Sequence, residues 1–132
     1  MTDASNPSLD SRKSRPFMPE YGISSAAKGM LTWDWVDAEM AKSRNFWISS
    51  TRPDGRPHAA PVWGIWFEGA LYFGSGQNSQ KAKNFRHRPD VVVHLESGDD
   101  VVIFEGVVEQ VADQRLNRRV TQAYNAKYAM LS

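Results

Sequence analysis

The sequence of 132 residues contains no cysteine. Disulfides, thiolate nucleophiles and cysteine-ligated metals are excluded at the outset. An excess of one charge is also lacking. Sixteen Lys and Arg stand against fifteen Asp and Glu, a net charge of +1, which argues against a nucleic-acid partner held by bulk positive charge. No apolar run is long enough to cross a membrane, and the polar N-terminus lacks the apolar stretch of a signal peptide. No serine sits in a G-x-S-x-G elbow, and no catalytic triad is arguable. The three histidines, His58, His87 and His94, are not spaced as metal ligands. No catalytic residue and no metal ligand is therefore assigned. The expectation is a cytoplasmic protein, bound to neither membrane nor nucleic acid, whose chemistry resides in a bound cofactor.

What is present points to one domain. Hydrophobic residues make up 41% of the chain and include five Trp, enough for a core. Residues 1–28 are rich in Ser, Pro, Asp, Arg and Lys and read as a flexible tail, leaving 29–132 as the folded unit. Thr32 is a fair N-cap for a helix reaching about residue 43, with Trp33, Val36 and Met40 on one apolar stripe. Residues 45–51 are aromatic and β-branched and predict a strand. Pro53-Asp54-Gly55 turns the chain into a second strand over 56–67. Because it holds Pro57 and Pro61, that strand is expected to be an edge, bulged or facing a ligand. Glu68-Gly69 leads to a strand over 70–75, and Ser79 caps a short helix to about residue 87. A strand over 91–96, a turn at Ser97-Gly98-Asp99-Asp100 and a long strand over 101–111 follow, with Gly106 expected to mark a bulge or close approach. Asp113 caps a last helix in which Leu116, Val120, Ala123, Tyr124 and Lys127 recur at helical spacing. Strands joined mainly by hairpins favour a mainly β fold, an antiparallel barrel with short helices, two copies of which meet as a homodimer.

One corner invites an anion. Lys81 and Lys83 fall in the first turn of the short helix, where cations oppose the helix dipole. A phosphate there would receive backbone N–H groups, the Ser79 hydroxyl and a lysine together. The alternative is a solvated basic helix face. Arg56 and His58 open the preceding strand, in phase with Ala60 and Val62, and would add charge to the same anion; the alternative is ordinary polar residues at a strand end. In Pro61-Val62-Trp63-Gly64 the proline frees neighbouring backbone groups to meet a planar ligand, and an irregular edge strand is the other reading. Trp47, Trp63 and Trp66 are candidates to stack a flat substrate, the alternative being core or dimer residues, and at least two of the three are expected in the core. His94, inside an apolar strand, reads as a satisfied core residue.

The ordered set of segments resembles a known family. It comprises Phe46-Trp47-Ile48-Ser49-Ser50-Thr51-Arg52-Pro53-Asp54-Gly55-Arg56-Pro57-His58, then Pro61-Val62-Trp63-Gly64, Gly69-Ala70-Leu71-Tyr72-Phe73 and Ser79-Gln80-Lys81-Ala82-Lys83-Asn84. Val91-Val92-Val93-His94-Leu95-Glu96-Ser97-Gly98 and Glu105-Gly106 complete it. These residues are similar to the pyridoxamine 5′-phosphate oxidase-like superfamily of FMN-binding split β-barrels, and more narrowly to its flavin- and deazaflavin (F420)-dependent oxidoreductases. The resemblance implies a homodimer with two cofactor sites at its interface. The strand from His58 to Trp63 would lie along the flavin, Gly74 and Ser75 would border the ribityl phosphate, and Gln80 and Lys81 would hold the phosphate. The implied reaction passes hydride between FMN, or alternatively F420, and a small organic substrate. Many relatives carry Arg where this chain has Gln80; Lys83, Arg56 and His58 are the candidates to compensate, and a phosphodiester such as that of F420 needs less charge. Relatives commonly continue into closing strands beyond the position of Ser132. A non-catalytic carrier or sensor of flavin or haem on the same fold is the alternative function.

Overall fold

The computed structural model describes residues 31–131 and the backbone of Thr2–Asp3. Helix α1, Trp33–Lys42, begins where the Thr32 side chain accepts the backbone N–H of Trp35 at 3.1 Å. It turns Val36 and Met40 into the core, with Trp33 and Trp35 partly buried against it. Strand β2, Phe46–Thr51, follows, and its burial alternates with period two: Phe46, Ile48 and Ser50 face inward. A turn closed by the Gly55 N–H on the Arg52 carbonyl, with Gly55 at φ 90°, leads into β3, Pro57–Val62.

Five antiparallel strands form the main sheet, in the order β1-β7-β6-β2-β3, where β1 is Thr2–Asp3, β6 is Asp90–His94 and β7 is Ile103–Val108. Among the described residues strand β3 pairs only with β2 and lies at the sheet edge, as its two prolines require. A separate hairpin joins β4, Ile65–Phe67, to β5, Ala70–Tyr72, through Glu68 and Gly69, both at positive φ. Helix α2, Gln80–His87, crosses to β6. The terminal helix α3, Gln114–Leu131, is capped by Asp113, whose carboxylate accepts the N–H groups of Arg115 and Leu116. The core lies between the inner sheet face, α1 and the β4–β5 hairpin, around Met40, Phe46, Ile48, Leu71, Phe73, Val91 and Val93. No helix among the described residues is long and apolar enough to cross a membrane.

Several expectations are corrected. Residues 56–67 do not form one strand: the chain breaks at Trp63-Gly64 and changes sheets. A Cβ at Gly64 would sit 2.9 Å from Leu71 Cδ1 and 3.0 Å from the Tyr72 carbonyl oxygen, so only glycine passes there. The strand predicted over 70–75 stops at Tyr72. The one predicted over 101–111 shrinks to Ile103–Val108, because β6 offers only five residues to pair with. Gly106 is no bulge. The β6–β7 register runs unbroken through Val91 opposite Gly106, and nothing lies within 4 Å of a Cβ built there. The predicted tail falls outside the described residues except at Thr2–Asp3, which pair with Val108 and Val107 and cover the backbone edge of β7.

Candidate functional site

The start of α2 and the loop before it carry most of the expected anion-binding groups. Ser79, in extended geometry, caps α2: its Oγ accepts the Ala82 N–H at 3.2 Å and lies 2.9 Å from the Ser75 hydroxyl. The loop leading in is fixed by the Ser79 N–H on the Gly76 carbonyl and by Arg86, which reaches back to the Gln77 carbonyl at 2.9 Å. Exposed Gly74 opens this loop, with nothing within 4 Å of a Cβ built on it. The first turn of α2 holds no acidic residue. Lys81 is half-buried and Lys83 exposed, and neither has a hydrogen-bond or ion-pair partner among the described residues. Two unpaired ammonium groups at a helix start, beside two hydroxyls, suit an anion.

Under this surface runs a buried polar chain. Gln80 Nε2 donates to Asn84 Oδ1 at 2.8 Å, and Asn84 Nδ2 donates to the Ser50 hydroxyl at 3.0 Å. Asn84 is completely buried, so the chain pins α2 to β2. Ser50 stands directly opposite His58 in the β2–β3 register, which puts His58 on the same face. The His58 Nδ1 is buried and has no hydrogen-bond partner among the described residues. The unpaired lysines and the neighbouring hydroxyls at the start of α2 fit a phosphorylated guest, and the buried His58 Nδ1 is a polar atom still lacking a partner among the described residues.

The other expected site residues fall into two groups. Ala60 and Val62 follow His58 on the inner face, and Pro61 is exposed on the outer one, opposite Trp47. Arg56 is spent in the turn, its Nε donating to Asp54 Oδ2 at 2.8 Å and its N–H to Oδ1 at 3.1 Å. These bonds, the backbone one first, hold the exposed Asp54 carboxyl below its usual range. Gln80, bonded to Asn84, braces the helix. Of the three tryptophans, Trp66 donates to Asp37 and packs on Phe104, and Trp47 lies parallel to His94, whose Nδ1 is 2.7 Å from the Leu95 carbonyl. Trp63 is 40% exposed and stacks on Tyr128 with centroids 4.5 Å apart.

Three residues outside the expected set organise the far end of β3. The Tyr128 hydroxyl accepts the Gly64 N–H at 2.7 Å and offers its proton to the carbonyls of Arg44 and Gly64. Lys127 Nζ donates to the Gly64 carbonyl at 3.0 Å and lies 4.9 Å from the centroid of the Phe46 ring. Burial lowers the Lys127 amine to about 8, and burial raises the Tyr128 phenol. The only available signal was the spacing of Tyr128, four residues after Tyr124 and eight after Val120, on the apolar side of the predicted helix. Among the described residues, no three His, Asp or Glu side chains gather as a metal site.

Residues 33–131 match the family model described as pyridoxamine 5′-phosphate oxidase. The chain belongs to that family. Solved structures of similar fold include a conserved hypothetical protein from Mycobacterium tuberculosis, at 29% identity and TM-score 0.71, covering 80% of this chain and 69% of that one. An F420 reductase aligns at 21% identity and TM-score 0.55, over 76% of this chain and 79% of its own. The haem storage protein HutZ from Vibrio cholerae aligns at 12% identity and TM-score 0.53, over 74% and 82%. No curated protein matches the sequence. An F420 reductase and a haem storage protein thus share this fold, so the fold alone does not assign a ligand.

Proposed function

We propose that this chain is an oxidoreductase that seats the phosphate of FMN, or of F420, at the start of α2 and lays the cofactor ring along β3. The observation that carries this reading is the start of α2, where Lys81 and Lys83 have no counter-ion among the described residues and stand close to the paired hydroxyls of Ser75 and Ser79; the buried Nδ1 of His58, opposite Ser50, is a further polar atom without a partner there. The Ser79 and Lys81 side chains bind the phosphate, with Lys83 closing over it from solvent. Val62 and Trp63 present backbone groups to the ring edge at the interrupted strand. When bound, the ring supplies hydride transfer with a small organic substrate, and the protein orients it and excludes water.

A homodimer completes the proposal. Among the described residues the outer sheet face exposes apolar side chains, Ile103 at 54% and Val107 at 42%, on the face of Trp47 and Val92, interspersed with Asp90, His94 and Glu105. Such a face suits a second copy, and closure of the split barrel belongs to the same reading. Parallel fluorescence titrations with FMN and F420 test the function. Saturable binding of one cofactor, followed by reoxidation of its reduced form by an organic acceptor, supports the enzyme. Binding without turnover turns the reading to a carrier, and binding of neither ends it.

A further inference from the structure

The polar groups released by the break between β3 and β4 are satisfied from 64 residues away. Gly64 is buried, and its amide and carbonyl have left the sheet. A buried backbone group without a partner is costly. Both partners come from the penultimate turn of α3. One phenolic oxygen accepts the Gly64 N–H, and its single proton is shared between the Arg44 carbonyl at 2.8 Å and the Gly64 carbonyl at 3.0 Å. Lys127 adds a second donor to that carbonyl. Arg44 enters β2 and Gly64 leaves β3, just outside the last registered pair, Phe46 opposite Val62. The Tyr128 hydroxyl therefore clips the open end of the β2–β3 hairpin. A phenylalanine would fill the same space but satisfy none of these groups.

The clip also fixes the indole that follows β3. Trp63 lies on the Tyr128 ring within 4° of parallel, with the Arg44 guanidinium 5.3 Å from the Trp63 centroid. We infer that Tyr128, assisted by Lys127, is a positioning residue that holds the Val62–Trp63 backbone and the Trp63 indole in place for the ring end of the cofactor. The inference rests on the proposed reading of a ring along β3. Tyr128 acts through Gly64 and Trp63 rather than on reacting atoms.

The experiment compares the full-length wild type with Tyr128→Phe in titrations with FMN and F420, and uses inorganic phosphate as a competitor for the anion corner alone. Loss of the clip is expected to weaken the ring-bearing cofactor roughly five- to tenfold and to blur the absorption band of the bound ring. The competition constant of phosphate is expected to stay within about twofold, since its groups lie on α2, the loop before it and the His58 end of β3, away from Gly64. Lys127→Met, which leaves the Tyr128 stack in place, is expected to cause a smaller loss of the same ring-specific kind, and replaces Tyr128→Phe if that variant does not fold. Unchanged cofactor affinity and an unchanged ring spectrum overturn the inference, as does an equal loss for phosphate and cofactor, which means general loosening. Failure of the wild type to bind either cofactor sinks the functional reading, and the inference with it. Wild-type binding with an indifferent Tyr128→Phe sinks the inference alone.

Discussion

The Gly64 end of β3 and the start of α2 are built on opposite principles. At the Gly64 end the described polar groups are spent: amide, carbonyl, phenol and ammonium bond to one another. At the start of α2, by contrast, Ser75 meets only the capping Ser79 hydroxyl, two lysines have no partner among the described residues, and the buried His58 Nδ1 on β3 has none there either. A saturated cluster stabilises the fold. An unsaturated one, held rigid from behind by Gln80, Asn84 and Ser50, is ready for a guest.

The sharpest way to break the comparison is Gly64→Ala. Its Cβ would meet Leu71 Cδ1 at 2.9 Å and the Tyr72 backbone oxygen at 3.0 Å, and the backbone oxygen cannot swing aside. A loss of about 1–3 kcal/mol, read by urea unfolding, is expected; unchanged stability means that the Gly64 end is not the tightly packed one. Lys81→Ala tests the start of α2. It is expected to weaken cofactor binding by roughly 1.5–3 kcal/mol while leaving the urea midpoint unchanged, with Lys83→Ala doing less because that side chain is exposed. An equal loss of stability would show that Lys81 serves the fold.

The smallest effect expected is a pH dependence at the saturated end. Burial lowers the Lys127 amine to about 8, below the usual ammonium range. Below that value both folded and unfolded chains hold the proton, and the burial penalty is constant. Between about 8 and the usual value near 10.4 the unfolded chain binds more proton, so this residue makes stability rise with pH. The group is partly exposed, and solvent screening keeps the rise small. Comparing unfolding of the wild type and Lys127→Met across this window should show the rise only in the former.

The sequence revealed what local chemistry decides. Thr32, Ser79 and Asp113 each cap a helix as their side-chain oxygens predict. The alternation of His58, Ala60 and Val62 was also readable, as was the edge position of a strand with two prolines. The family resemblance matches the family to which residues 33–131 belong. What stayed hidden depends on distant partners. Nothing near Gly64 announces that a tyrosine 64 residues later will take its amide. Val101 and Val111 look like strand residues, yet a five-residue neighbour leaves them unpaired. Asn84 was visible only as part of a motif, because its role needs Ser50 across the core. Arg56 looked free to meet an anion until its own turn supplied Asp54.

The clip on Gly64 has a consequence for synthesis. Its hydrogen bonds span 63, 64 and 84 residues, among the longest sequence separations in the molecule, and such closures form late because much chain must be ordered first. A nascent chain that has emerged only through β7 carries the Gly64 amide and carbonyl open to water. The hairpin end becomes shut only when α3 docks, so completion of the end of β3 beside Trp63 waits for chain made well after the strand itself.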